Sequence, residues 1–156
     1  MRITVHSVAG KMPSWVDQGV TEYAKRMPRE LRLVWRDVPL AKRGASSTTA
    51  QQRDREGESL LKGIRDTEHV IVLDGRGKPW TTDKLAEQLR NWMMAGEPVN
   101  LMIGGPDGLS DRCLARARQR WSLGPLTLPH PLVRVVLAEQ LYRAWTITAG
   151  HPYHRA

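Results

Sequence analysis

The sequence predicts an α/β domain with a mainly parallel sheet and helices on both faces. Two observations carry this. Strand-like segments alternate along the chain with helical patterns of ten or more residues. The run Val70-Ile71-Val72-Leu73 is continuously apolar, as a parallel strand buried on both faces requires. At 156 residues the chain suits one domain and is too short for separate cofactor and substrate domains. Either that domain serves both purposes, or two copies share them.

The elements follow in order. Arg2 to Val8 alternates around Ile3, Val5 and Val8, which suits a strand. Met12-Pro13-Ser14 opens a helix through Trp15, Val16, Val20 and Tyr23, closed at Pro28. Leu31 to Val38 reads as a second strand, with Leu31, Leu33 and Trp35 on one face and Arg32, Val34 and Arg36 on the other. A polar loop, Ala41 to Thr49, carries Lys42-Arg43-Gly44 and a Ser/Thr cluster able to cap a helix from about Thr49 to Ile64, whose polarity predicts exposure. His69 to Asp74 is the buried strand, ended by Gly75 and Gly77. Thr81-Thr82-Asp83 caps a helix through Leu85, Leu89 and Trp92 that Gly96 closes. Val99 to Ile103 is a fourth strand, broken at Gly104-Gly105-Pro106-Asp107-Gly108. Ser110 and Asp111 then cap a helix through Arg120, a short strand is expected at Leu126 to Leu128, and a last helix spans about Pro131 to Thr148.

The formal net charge of +8 favours a polyanionic partner, although a solvated basic surface accounts for it equally well. A single cysteine, Cys113, rules out an intrachain disulfide, and it reads as a half-buried helix residue instead of a nucleophile. The first ten residues alternate in polarity, unlike a signal peptide, and no stretch is long and apolar enough to cross a bilayer, so a cytoplasmic, non-membrane protein is expected.

Ligands in parallel sheets bind beyond the carboxyl ends of the strands, which directs attention to the loops after Leu73, Ile103 and Leu128. Gly104-Gly105 lets backbone approach a ligand, yet serves a plain turn as readily. Gly75-Arg76-Gly77-Lys78-Pro79 is neither a dinucleotide loop, lacking the third glycine, nor a triphosphate loop, having Pro after Gly-Lys. No metal is expected, because His151 and His154 lack companions to complete a ligand set. Pro129-His130-Pro131 fixes the backbone ahead of the last helix, whose apolar residues cover more than one face. One side suits the sheet and another a second subunit, with Arg134 and Arg143 at the polar margin and Glu139 one turn from Arg143. The tail His151-Pro152-Tyr153-His154-Arg155 mixes aromatic and cationic groups that suit a base and its phosphate, or is a frayed terminus.

These residues resemble the SPOUT methyltransferases, and among them the ribosomal large subunit methyltransferase H family. The likeness runs end to end. It is most specific at Leu126-Thr127-Leu128-Pro129-His130-Pro131-Leu132-Val133-Arg134, Glu139-Gln140-Leu141-Tyr142-Arg143-Ala144-Trp145 and His151-Pro152-Tyr153-His154-Arg155. Further matches are Lys11-Met12-Pro13, Lys42-Arg43-Gly44, Glu56-Gly57-Glu58, Gly77-Lys78-Pro79-Trp80 and Ile103-Gly104-Gly105-Pro106.

The resemblance implies a single SPOUT domain over residues 1–156, with a deep trefoil knot in its cofactor-binding part, about 70–156, and a homodimer whose subunits jointly form each active site. It implies S-adenosyl-L-methionine as cofactor, held by Leu73, Gly104, Gly105, Leu123, Gly124, Pro125, Leu126, Thr127 and Leu128. The implied reaction methylates N3 of a pseudouridine in 23S rRNA of the assembled ribosome. That chemistry needs alignment and stabilisation of charge on the imide more than a metal or covalent intermediate. Arg143, Arg155 and His130 are the candidate cations, Tyr153 a stacking or hydrogen-bonding group, and His130, His154 or water the proton acceptor. The competing readings are a non-catalytic ribosome-binding or assembly protein, resting on charge and the Lys42-Arg43 loop, and a SPOUT enzyme acting on another RNA such as transfer RNA.

Overall fold

The computed structural model describes residues 1–44 and 46–155. Ala45, in the expected polar loop, and Ala156, at the end of the expected tail, lie outside the described residues. The elements are β1 (Arg2–Val8), α1 (Ser14–Ala24), β2 (Arg32–Val38), α2 (Thr49–Leu61), β3 (His69–Pro79), α3 (Thr82–Ala95), β4 (Val99–Ile103), α4 (Asp111–Arg116), β5 (Gln119–Ser122) and α5 (His130–Ala149). The five strands form one sheet in the order β2-β1-β4-β3-β5, with every pairing parallel.

The pleat turns alternate residues to opposite faces, and two apolar layers result. On one face Ile3, Val5, Ile71, Leu101 and Ile103 pack against Leu85 and Leu89 of α3 and Leu137 and Leu141 of α5. Both α5 leucines are fully buried, worth about 2 kcal/mol apiece in removal from water. Val16 and Val20 of α1 meet Ala138 of α5 beside them. On the opposite face Val70, Val72 and Met102 pack against Leu60 of α2 and Cys113 of α4. The helices cover both faces, as expected.

Four local expectations need correction. Helix α2 is not simply an exposed helix, for it buries Gln52, Glu56, Gly57 and Leu60. Its polar residues are covered because the preceding loop folds over them: Gln52 Nε2 donates to Ser47 Oγ at 3.0 Å and the Ala41 amide donates to Glu56 Oε2 at 3.0 Å. Strand β3 does not stop at Gly75 but bulges after Leu73 and rejoins β5 through Lys78 and Pro79. Gly77 permits this, since a Cβ there would lie 2.7 Å from the Arg120 carbonyl. Helix α4 ends at Arg116, and the fifth strand is Gln119–Ser122 in place of Leu126 to Leu128. Arg134 is not at a polar margin: it is buried, facing Asp37, His130 and the Trp35 ring.

A polar chain crosses the sheet beneath α2. Arg36 Nη1 donates to His6 Nδ1 at 2.9 Å, His6 Nε2 to Asn100 Oδ1 at 2.8 Å, and Asn100 Nδ2 to Glu68 Oε1 at 3.2 Å. Guanidinium only donates, so Nδ1 must accept and His6 is a neutral ring with its proton on Nε2. Burial pushes its pKa down, with the Arg36 charge acting in the same direction and the Asn100 hydrogen bond opposing.

Candidate functional site

Strand β5 lies at one edge of the sheet, whereas α5 begins beside β1, where Ser7 Oγ meets His130 Nε2 at 2.9 Å. The connecting residues 123–129 therefore cross the carboxyl ends of β3 and β4, a span of three strand spacings, or roughly 14 Å. Seven residues cover about 23 Å when extended, so the crossing leaves little slack. Pro125 and Pro129 stiffen it further, and Leu126 to Leu128 bridges the sheet ends without pairing as a strand among the described residues.

Beneath this crossing lies a cavity of about 440 Å³. Its walls come from Leu73 to Arg76 at the β3 bulge, the glycine turn after β4, Trp121 and Ser122 of β5, residues 123–128 and Val133 of α5. All nine residues expected to hold the cofactor, Leu73, Gly104, Gly105 and Leu123 through Leu128, line it. Sequence reasoning missed Asp74, Arg76, Leu109, Trp121, Ser122 and Val133. Asp74 sat next to a residue already singled out, and Trp121 fell between the helix read through Arg120 and the segment beginning at Leu123.

The turn is tight for a physical reason. A Cβ on Gly104 would lie 2.8 Å from the Gly108 carbonyl carbon, and Gly108 itself adopts φ +79°. Its amide donates to Gly105 O at 3.0 Å. A Cβ on Gly105 would meet Val8 at 2.9 Å and Glu56 Oε1 at 3.3 Å, so packing alone already calls for glycine here. Arg43 braces the turn from outside: Nη1 lies 3.1 Å from buried Glu56 Oε2 and Nη2 lies 3.0 Å from Asp107 Oδ2. Of the Lys42-Arg43 pair on which the ribosome-binding reading rests, Arg43 is thus engaged within the fold, while Lys42 is exposed.

The cavity suits a nucleoside-sized, largely apolar ligand. Leu73, Ile103, Trp121 and Val133 offer apolar contact, and Trp121 is itself held by stacking on Trp80 at 5.0 Å between centroids. The backbone around Gly124, at φ +125°, is free of side-chain bulk. Among the described residues its charged lining is Asp74 and Arg76, so no cluster of cations awaits a triphosphate there. Cys113 lies outside the lining, buried against the Gly57 carbonyl, and burial pushes its thiol up, away from a nucleophile's range.

The remaining candidates divide into two places. Arg143 Nη2 lies 2.7 Å from Glu139 Oε1, and Tyr153 hydroxyl donates to the same oxygen at 3.1 Å. The guanidinium sits 4.7 Å above the Tyr153 ring, which in turn packs on Tyr142. The Glu139 hydrogen bond pushes the Arg143 pKa up, and burial first, then Glu139, pushes the Tyr153 phenol up. His154 approaches Asp83 at 4.0 Å, while Arg155 is exposed. The tail is therefore seated on α5, with His154 beside α3.

His130 is elsewhere, at the first turn of α5. Arg134 Nε donates to its Nε2 at 3.2 Å, so that nitrogen is unprotonated and the ring neutral. Burial and then Arg134 push its pKa down. Val133 at the cavity and Arg143 stand ten residues apart on one helix, about 15 Å along its axis. One chain does not bring the cavity and the Arg143 cluster together.

A five-stranded parallel sheet with a cavity roofed by the connection into its last helix defines an α/β domain that takes a small molecule at the carboxyl ends of its strands. The sequence model described as "Predicted SPOUT methyltransferase" matches residues 1–154, and the chain belongs to that family; it is a methyltransferase. It is 55% identical over 155 residues to the ribosomal RNA large subunit methyltransferase H of Hahella chejuensis, covering 99% of both chains. It is 49% identical over 155 residues to the protein of the same name from Pseudomonas putida strain W619, covering 99% of this chain and all of the relative. The fold is similar to that of a methylase family protein from Neisseria gonorrhoeae, with a TM-score of 0.57 at 16% identity, over 99% of this chain and 88% of the other.

Proposed function

We propose that the chain transfers the methyl group of S-adenosylmethionine to N3 of a pseudouridine in 23S rRNA of the large ribosomal subunit, acting in the cytoplasm as a homodimer with a knotted cofactor-binding part. The observation that carries this reading is the cavity itself. It is bounded by the nine residues to which the resemblance assigns the methyl donor, and its apolar walls and bare backbone suit an adenosyl group. Relatives covering nearly the whole chain carry the name of a large-subunit rRNA methyltransferase, which supports rRNA as the substrate.

Two copies are needed because Arg143 and the tail lie about 15 Å from the cavity along α5. The rim supports such an interface. Trp15, Leu40, Leu126 and Leu132 are all exposed, and topology places each at the carboxyl end of the sheet. A partner's Arg143 cluster seated there would complete the site.

Bound S-adenosylmethionine supplies an already electrophilic methyl group. The chain's own task is to present the base and to stabilise charge on its imide. Arg143, oriented by Glu139 and the Tyr153 face, places a fixed cation where it favours the deprotonated imide. Tyr153, His154 and Arg155 bound the base and its phosphate from the tail. His130, whose Nε2 lone pair already faces Arg134 and Ser7, anchors α5 to β1 and positions the crossing above the cavity. Proton removal then falls to His154 or water.

Supplying labelled S-adenosylmethionine with intact ribosomes, separated subunits, naked rRNA and transfer RNA, then mapping the modified nucleoside, tests the proposal. Label at a pseudouridine of 23S rRNA in particles is expected. Label only in transfer RNA, or none anywhere, overturns it.

A further inference from the structure

Asp74 is the cavity's one lining carboxylate among the described residues, and only half of it is accounted for. Its Oδ1 accepts the Arg76 amide at 3.0 Å, an Asx turn that fixes the side chain at the exit of Leu73. Its Oδ2 is buried and has no hydrogen-bond partner among the described residues. Arg76 does little to neutralise it: the guanidinium reaches only Oδ1, at 3.5 Å, and is 81% exposed. A carboxylate oxygen shielded from water without a donor is costly to maintain, so such a group marks a place where a ligand completes the bonding.

We infer that Asp74, by a turn of its carboxylate, brings the uncommitted Oδ2, which is sealed from water in this structure, onto a positively charged group of the methyl donor. This rests on the cavity being the S-adenosylmethionine site. The donor carries two cations, a sulfonium and an α-ammonium, and the reaction removes only the first, leaving a neutral thioether in the product. If Asp74 faces the sulfonium, the pocket holds the substrate form more tightly than the spent form, and methyl transfer itself weakens retention of the product. If it faces the ammonium, it anchors both forms alike and fixes the amino-acid end of the cofactor.

The test is calorimetric binding to the full chain and to Asp74→Asn, with S-adenosylmethionine, S-adenosylhomocysteine and methylthioadenosine, which has neither cation. Asp74→Ser is measured beside it, because a serine hydroxyl also accepts the Arg76 amide and so keeps the turn without the charge. Loss of a charge-assisted bond predicts weakening on the order of ten- to a hundred-fold. Weakening for S-adenosylmethionine alone assigns Oδ2 to the sulfonium. Weakening for the first two ligands with methylthioadenosine unchanged assigns it to the ammonium. Equal weakening for all three, or none in either variant, overturns the inference. Failure of the unsubstituted protein to bind S-adenosylmethionine would instead overturn the reading of the cavity.

Discussion

Removing Asp37 should damage this protein more than removing its buried partner Arg134. The arginine side chain is 4% exposed, whereas Asp37 is 67% exposed. Asp37→Ala leaves a guanidinium out of water with only the His130 ring nitrogen and the Trp35 face, 5.8 Å away, beside it. An uncompensated buried charge of this kind costs about 3 kcal/mol, the lower end of the usual range because water still reaches the vacated site. Arg134→Met removes the charge altogether and keeps the packed stem. Asp37 returns to solvent, and His130 Nε2 keeps Ser7 Oγ as its partner. That leaves a loss of about 1 kcal/mol. With a urea slope of roughly 2 kcal/mol per molar, the unfolding midpoints at one fixed protein concentration should fall by about 1.5 M and 0.5 M respectively. Because α5 begins here, Asp37→Ala should also weaken cofactor binding. An Arg134→Met variant as destabilised as Asp37→Ala, or more so, would refute the reasoning.

Other consequences are equally concrete. His6 is neutral in the fold with its pKa below the ordinary value of about 6.5, so the unfolded chain binds the proton more readily and stability falls as pH drops through that value, by up to about 1.4 kcal/mol per unit. Urea midpoints at pH 7.5 and 5.5 should diverge less for His6→Gln; an unchanged difference contradicts the neutral assignment. Arg43→Ala and Asp107→Ala should each weaken S-adenosylmethionine about five-fold by releasing the glycine turn, and the double variant should be scarcely worse than either; additive losses in the calorimetric cycle would dissociate the brace from the cofactor. Truncation after Gly150 should abolish methyl transfer while sparing cofactor affinity and dimerisation, since within its own chain the tail packs on α5 and beside Asp83 of α3 and not on the cavity; full activity of the truncated chain would sink the tail's role.

Much of this was legible in the sequence because the signals were local. Thr81 and Ser110 cap their helices as read, Gly96 closes α3 at φ +72°, and the apolar run at Val70 marks an interior strand. What stayed hidden depended on neighbours distant in the chain. Strand β5 is polar at Gln119 and Arg120 because it pairs only with β3, and edge strands tolerate this. Gly75 and Gly77 looked like a stop, but the strand bulges past Leu73 and rejoins β5, with Gly77 allowing the close approach to Arg120. Read from the residues alone, the glycine turn suits a ligand or a plain turn and the Leu123 to Leu128 segment a rigid connector; only the resemblance assigns them the cofactor. The 15 Å between that site and Arg143 follows from the helix geometry once Val133 is placed at the cavity wall.

That separation leads to a single decisive measurement. A bulky residue at Gly75, where a Cβ would enter open space at the cavity edge, should block the methyl donor without disturbing packing. Arg143→Ala should leave the donor site intact and disable the base site. Each variant alone should be inactive on large ribosomal subunits. If one copy's cavity works with the other copy's Arg143, then dissociating and remixing equal amounts of Gly75→Trp and Arg143→Ala makes half the dimers mixed, each with one intact site. Labelled methyl transfer should then return to about a quarter of the unsubstituted rate. No recovery in dimers shown to have exchanged subunits would place both functions within one chain and contradict the account.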